Sequence, residues 1–194
     1  MATGGVEGNE LLTSTVAALL TILLVAEAVT IVHLNGLLGA HMFLGLMLIP
    51  PVLVKLVSTG YRFARYYTGS APYRAKGPPH LPLRVMAPVL VAATVMIFAT
   101  GIWLLVLGHR SDQALMLHKV AFIVWGAVFA VHFFAYLPRV ARALAADWTP
   151  RLRDARIAGA RLRAIVVAAS LGGGCALALA LLSVIRAWDG HHRF

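Results

Sequence analysis

The chain has 194 residues, 60% of them hydrophobic and only 12% charged, about half the charged share of a soluble domain. Together with a mean hydropathy of +0.84, this excludes a water-soluble fold of this size and the soluble-enzyme classes with it. The net charge of +10 is not a nucleic-acid signature, because the positives fall in two clusters between apolar runs, and the single cysteine, Cys175, leaves no internal disulfide, Cys-rich zinc site, iron–sulfur cluster or covalent C-x-x-C-H haem attachment.

Five stretches are long enough to cross a bilayer, which takes about 20 apolar residues. They cover about 11–33, 37–59, 84–107, 113–138 and 164–186, within one transmembrane domain over 1–194. The fold class is therefore all-α: an integral membrane helical bundle. The first span carries Glu27. It is too long for a secretory signal peptide, and its flank holds Glu7 and Glu10 in place of lysines. Only a few residues around Asn35 and Gly36 separate it from the second span, so the two are antiparallel neighbours. The second span carries His41, Lys55 and the pair Pro50-Pro51, which removes backbone hydrogen bonds and introduces a kink. A loop rich in Gly and Pro follows from Tyr66 to Pro82. The third span is uncharged, and the fourth holds His118, Lys119 and His132. The stretch from Asp147 to Arg163 is basic and amphipathic, suited to an anionic membrane surface. In the fifth span, Gly172-Gly173-Gly174 admits either a close helix approach or a flexible point.

The positives set the direction. Arg62, Arg65, Arg74, Lys76 and Arg84 lie between spans two and three, and Arg139, Arg142, Arg151, Arg153, Arg156, Arg161 and Arg163 follow span four. Only Arg110, Lys119, Arg186 and Arg193 fall on the other side. This imbalance predicts cytoplasmic basic segments, a cytoplasmic N-terminus and, with five spans, an extracytoplasmic C-terminus in a bacterial-type inner membrane.

Position separates the eight histidines. His33, His80, His109, His191 and His192 stand at membrane edges, in loops or in the tail. His41, His118 and His132 stand within apolar runs, where an ionisable side chain is costly and points to function, the bland alternative being an interhelical hydrogen bond. His118 and His132 are fourteen apart, which turns a helix about 1400°, about 40° short of four whole turns, and raises it about 21 Å. Fourteen residues after His41 stands Lys55. Spans two and four run parallel, so His41 matches His118 in depth near the outer surface, and Lys55 matches His132 nearer the cytoplasm. Two helices that present nitrogen ligands in matched layers suit a stack of b-type haems with axial ligands on either side. Small residues at Gly45, Ala87, Gly101 and Gly126 leave room for a flat macrocycle.

With those residues in place the chain resembles the membrane-embedded b-type cytochromes. This is the di-haem four-helix superfamily of respiratory cytochrome b and the cytochrome b subunits of formate dehydrogenase and nickel–iron hydrogenase. The resemblance rests on His118 and His132 at spacing fourteen, on His41, and on Tyr61 to Gly69 followed by Lys76-Gly77-Pro78-Pro79, and covers roughly Leu11 to Asp147. It implies a four-helix haem-binding core plus a fifth helix. It also implies electron transfer involving the quinone pool or a partner redox subunit, and a place as a subunit of a larger respiratory complex. The sequence departs from the respiratory pattern at Lys55, where that pattern has histidine, and from the formate dehydrogenase pattern in Asn9 to Val16, which contains no histidine.

The sequence thus predicts a b-type cytochrome with haem b, two groups or at least one, and a quinone as a further ligand. His41, His118, His132 and Lys55 are the candidate axial ligands of the iron. For Lys55 the competing role is to snorkel to the inner headgroups. Glu27 is a candidate for proton or quinone chemistry near the outer layer, or for a buried hydrogen bond to a neighbouring helix. Arg62, Arg65, Arg84, Arg139, Arg110 and Lys119 are candidates for haem propionates or lipid headgroups. The chain carries no group-transfer or hydrolytic constellation, and is read as an electron-transfer component of a membrane oxidoreductase, with a quinol-linked reductase or oxidase activity left open. The alternative is a haem-free membrane protein that binds a transition metal or relays protons in transport.

Overall fold

The computed structural model describes residues 5–77, 81–148 and 159–191. Pro78, Pro79, His80, His192 and most of the basic segment after Asp147 lie outside them. The chain forms seven helices in these segments, with no strand: α1 Gly5–Val32, α2 Leu34–Tyr67, α3 Ala71–Ala75, α4 Leu81–Leu107, α5 Asp112–Trp148, α6 Ala160–Ala180 and α7 Leu182–His191. Five of them, α1, α2, α4, α5 and α6, are long and apolar enough to cross a bilayer. The all-α membrane bundle read from hydropathy is the fold.

The connection between α1 and α2 is tight. His33 forms a turn, with Gly36 and Leu37 both donating to its carbonyl, and Leu37 leaves helical geometry before α2 continues. Pro50 and Pro51 lie inside α2 without ending it, and Pro51 is fully buried. The helix runs on through Arg62 and Arg65 to Tyr67, past the apolar stretch. Gly69, at φ +89°, then reverses the chain into α3.

The expected single fifth span is two helices. Leu181, at φ −98° and ψ 10°, ends α6, and α7 follows at once. Ile185 and Trp188 of α7 are buried in the main apolar cluster, which supplies the reason for the break. The cluster joins Val16, Leu20 and Leu23 of α1, Leu46, Met47 and Leu48 of α2, Leu105 of α4 and Ala178 of α6. Gly174 makes this possible, because a Cβ there would overlap the Met47 carbonyl oxygen. Of the Gly172–Gly174 triplet, Gly174 is the close-approach position, and Cβ atoms at Gly172 and Gly173 would meet open space.

Helices α1 and α2 pair, α4 and α5 pair, and α6 packs on α2. Contacts of α1 with α5 and of α2 with α4 close a four-helix ring, in which α2 and α5 stand diagonally opposite. Its centre is a cavity of about 1770 Å³ that runs from Glu27, His41 and Arg110 to Lys55, Arg62 and Arg84. That exceeds the ~300–1000 Å³ of ordinary small-molecule sites.

Candidate cofactor site

His41 of α2 and His118 of α5 meet across this cavity. Their ring centroids are 6.3 Å apart and their planes are nearly perpendicular, at 81°. The depth match read from sequence is therefore a contact, between the two helices that are diagonal in the ring.

Each ring is held from behind. The His41 Nδ1 lies 2.7 Å from the Glu27 Oε1 and 3.4 Å from the Thr30 hydroxyl. Thr30 donates to the Glu27 carbonyl at 2.7 Å and lies 3.3 Å from the Glu27 Oε2, so the carboxylate is itself positioned. On the other side, the His118 Nδ1 lies 3.1 Å from the Ile97 carbonyl oxygen and 3.0 Å from the Thr100 hydroxyl. A carboxylate and a carbonyl only accept. With the carboxylate ionised and the rings neutral, both Nδ1 atoms carry the hydrogen and each ring keeps its lone pair on Nε2. Among the described residues neither Nε2 has a hydrogen-bond partner. The pair is thus two imidazoles with fixed tautomers and two nitrogen lone pairs available to a ligand.

Small residues make room for this. A Cβ on Gly101 would lie 3.3 Å from the His118 Cε1, and one on Gly45 would lie 3.8 Å from the Glu27 Oε1. Gly126 faces open space.

An axial pair of imidazoles suits the donor set. Metal–nitrogen bonds of about 2 Å, with each ring centroid about 1 Å behind its nitrogen, place two centroids about 6 Å apart. A ligating histidine characteristically donates its other N–H to a carboxylate or a carbonyl, and both arrangements occur here. The centroid separation and the two Nδ1 partners are those that two imidazoles would show if they held one iron between them. Among the described residues no three His, Cys, Asp or Glu side chains cluster in a way that would hold a metal by themselves.

The inner layer is different. Lys55 and His132 line the same cavity but are not brought together. The Lys55 Nζ donates to the Thr13 carbonyl of α1 at 2.9 Å. The His132 Nε2 lies 3.2 Å from the Leu83 carbonyl of α4, its Nδ1 lies 3.2 Å from the Val128 carbonyl, and its ring stacks on Tyr136. Asn9 donates to the Ser58 carbonyl at 3.2 Å and Thr13 bonds the Ser58 hydroxyl, which completes a polar seam between α1 and α2. The arrangement does not fit a haem held between Lys55 and His132.

At the inner mouth, Arg84 bonds the Tyr67 hydroxyl and stands over the Tyr67 ring, joining α4 to α2. Lys76 pairs with Glu10 at 2.5 Å, tying the loop to α1. Burial, and then the neighbouring Tyr61, push the Tyr73 phenol above its ordinary value. At the outer edge Arg110 pairs with Asp112 at 3.0 Å, both exposed. His33 and His109 are exposed at the same end, as their edge positions suggested.

Sequence reasoning left the role of Glu27 open and missed Thr30 and Thr100. A Thr-Gly pair in an apolar span at the depth of a histidine is the one signal that pointed to Thr100. No protein-family model, curated protein or solved structure matches the chain.

Proposed function

We propose that this chain is a b-type cytochrome of a bacterial-type inner membrane, an electron-transfer component with one haem b between His41 and His118. The observation that supports this is the pair of facing imidazoles, 6.3 Å between centroids, with each Nδ1 committed to an oxygen acceptor behind it. The haem, when bound, supplies a one-electron couple. The chain's own residues do the rest. Glu27 and Thr30 orient one ligand, and Ile97 and Thr100 orient the other. Leu20, Leu24, Phe98 and Leu104 are among the apolar cavity residues that keep water away. The quinone pool or a docked redox subunit is the proposed exchange partner. The charge imbalance of the loops supports a cytoplasmic N-terminus and an outer position for the His41–His118 layer. The second haem suggested by the fourteen-residue spacing is not part of the proposal, since Lys55 and His132 each hydrogen-bond a backbone carbonyl elsewhere.

The test is the absorption spectrum of the purified protein with haem quantified per chain. A sharp Soret band and about one haem per chain are expected, and both are lost in His41→Ala and in His118→Ala while membrane insertion persists. A colourless wild-type protein that takes up no added haem overturns the reading. A second reading, a haem-free proton relay, draws support from the 2.7 Å Glu27–His41 contact, because a carboxylate and an imidazole can pass a proton. The same spectrum separates the two.

A further inference from the structure

Glu27 is an acidic side chain in the C-terminal half of an apolar span, only 8% exposed. Such a group is costly in a membrane and marks function by default. Among the described residues no lysine or arginine pairs with it, and its hydrogen-bond partner is the imidazole of His41. We propose that Glu27 is a positioning residue that lowers the reduction potential of the centre held by His41 and His118, by accepting a charge-assisted hydrogen bond from the His41 Nδ1. This rests on the haem reading above and deepens it.

The two ligands are unequally backed. His41 donates to a carboxylate at 2.7 Å, whereas His118 donates to a carbonyl at 3.1 Å and a hydroxyl at 3.0 Å. Hydrogen bonds to an ionised acceptor are shorter and roughly twice as strong as those between neutral groups. An imidazole that gives its Nδ1 proton to a carboxylate has a more basic Nε2. A more basic ligand favours the ferric over the ferrous ion, which lowers the potential, and hydrogen bonding around the ligands is one of the protein's levers on it. Gly45 lies one helical turn beyond His41, and a Cβ there would stand in ordinary contact with the Glu27 Oε1, at 3.8 Å. The Thr30 hydroxyl, which donates to the Glu27 carbonyl of the same helix, lies 3.3 Å from the second carboxylate oxygen.

The experiment is a redox titration of the haem-bearing protein with dithionite and ferricyanide, comparing wild type with Glu27→Gln. Glutamine keeps the size and an oxygen acceptor but removes the charge. Removing such a partner characteristically costs 10–100-fold in metal affinity. A tenfold loss confined to the ferric state raises the midpoint by about 59 mV, and a rise of that order is expected with the low-spin spectrum retained. Thr100→Val, acting on the neutral side, shifts it less. If Glu27→Gln fails to accumulate, Thr30→Val keeps both side chains but removes the hydroxyl that lies 3.3 Å from the Glu27 Oε2 and 3.4 Å from the His41 Nδ1, and a smaller rise in the same direction is expected. An unchanged midpoint in the carboxylate variant, or in Thr30→Val where that variant stands in, overturns the inference while leaving the haem reading intact. A wild-type protein that binds no haem overturns both.

Discussion

The Lys55 ammonium donates to the Thr13 carbonyl of α1 at 2.9 Å, so the group that stands fourteen residues after His41 is engaged by a flanking helix and not by the residue at its own depth across the bundle. His132 makes the mirror choice, with its Nε2 3.2 Å from the Leu83 carbonyl of α4. Both residues line the cavity, yet each is spoken for. Replacing either should therefore leave the cofactor signal alone. Lys55→Met and His132→Ala are expected to retain the wild-type haem content and the low-spin spectrum. Loss of one of two haem signals in either variant would restore the two-haem arrangement that the spacing suggested. Lys55→Met is also expected to change stability little, because it removes a cation from the bilayer core along with its single hydrogen bond.

Much of the outer site was legible in the sequence, and the reason is geometric. Depth depends on counting residues along helices of known rise, so His41 and His118 could be matched from topology alone. Rotation about the helix axis is less forgiving. A fourteen-residue step leaves about 40° of turn, and on α2 the step also crosses Pro50-Pro51. That offset turns a side chain from the bundle axis to a neighbouring helix, as seen at Lys55 and His132. The pairing of Glu27 with His41 depends on the relative rotation of α1 and α2, which no single-helix pattern encodes. The break at Leu181 was hidden for another reason: its sequence is as apolar as the helices beside it, and the burial of Ile185 and Trp188 that bends the chain is a tertiary effect.

Topology has its own test. Twelve of the loop and edge cations fall in the two basic segments and four elsewhere at the membrane edges, from which the charge rule predicts that the basic segments are cytoplasmic. A reporter fused after Gly69, in the turn that follows α2, is expected to behave as cytoplasmic. Activity there from a reporter that works only outside the cell would invert the protein and place the His41–His118 layer near the cytoplasm.

The α2–α6 crossing is expected to be intolerant of any side chain at Gly174. A Cβ there would overlap the Met47 carbonyl oxygen and lie 3.0 Å from the carbonyl carbon, and these are backbone atoms that cannot swing aside. Gly174→Ala should therefore force the helices apart, at a cost of about 1–3 kcal/mol, typical of an overfilled core. Thermal unfolding in detergent reads the loss directly. Gly172→Ala and Gly173→Ala, where the added atom meets open space, serve as controls and should unfold near the wild-type temperature. Equal stability in all three variants would mean that α6 does not pack on α2 in this way.

Gly101 offers a graded test of the cofactor site that leaves both ligands and Glu27 in place. It lies on α4 beside Thr100 and four residues after Ile97, the two residues that accept from the His118 Nδ1. A Cβ at Gly101 would stand 3.3 Å from the His118 Cε1 and 3.7 Å from its Nδ1. One methyl group can be absorbed by a shift of a few tenths of an ångström, at the cost of a poorer hydrogen bond behind the ring. A leucine cannot, because its further carbons would occupy the volume of the imidazole itself. Gly101→Ala is thus expected to keep haem with reduced affinity, and Gly101→Leu to lose it while still inserting into the membrane. Haem per chain and the Soret band measure both. Full haem occupancy in Gly101→Leu would show that His118 is free to leave α4, and that its tautomer is not what makes its Nε2 available to iron.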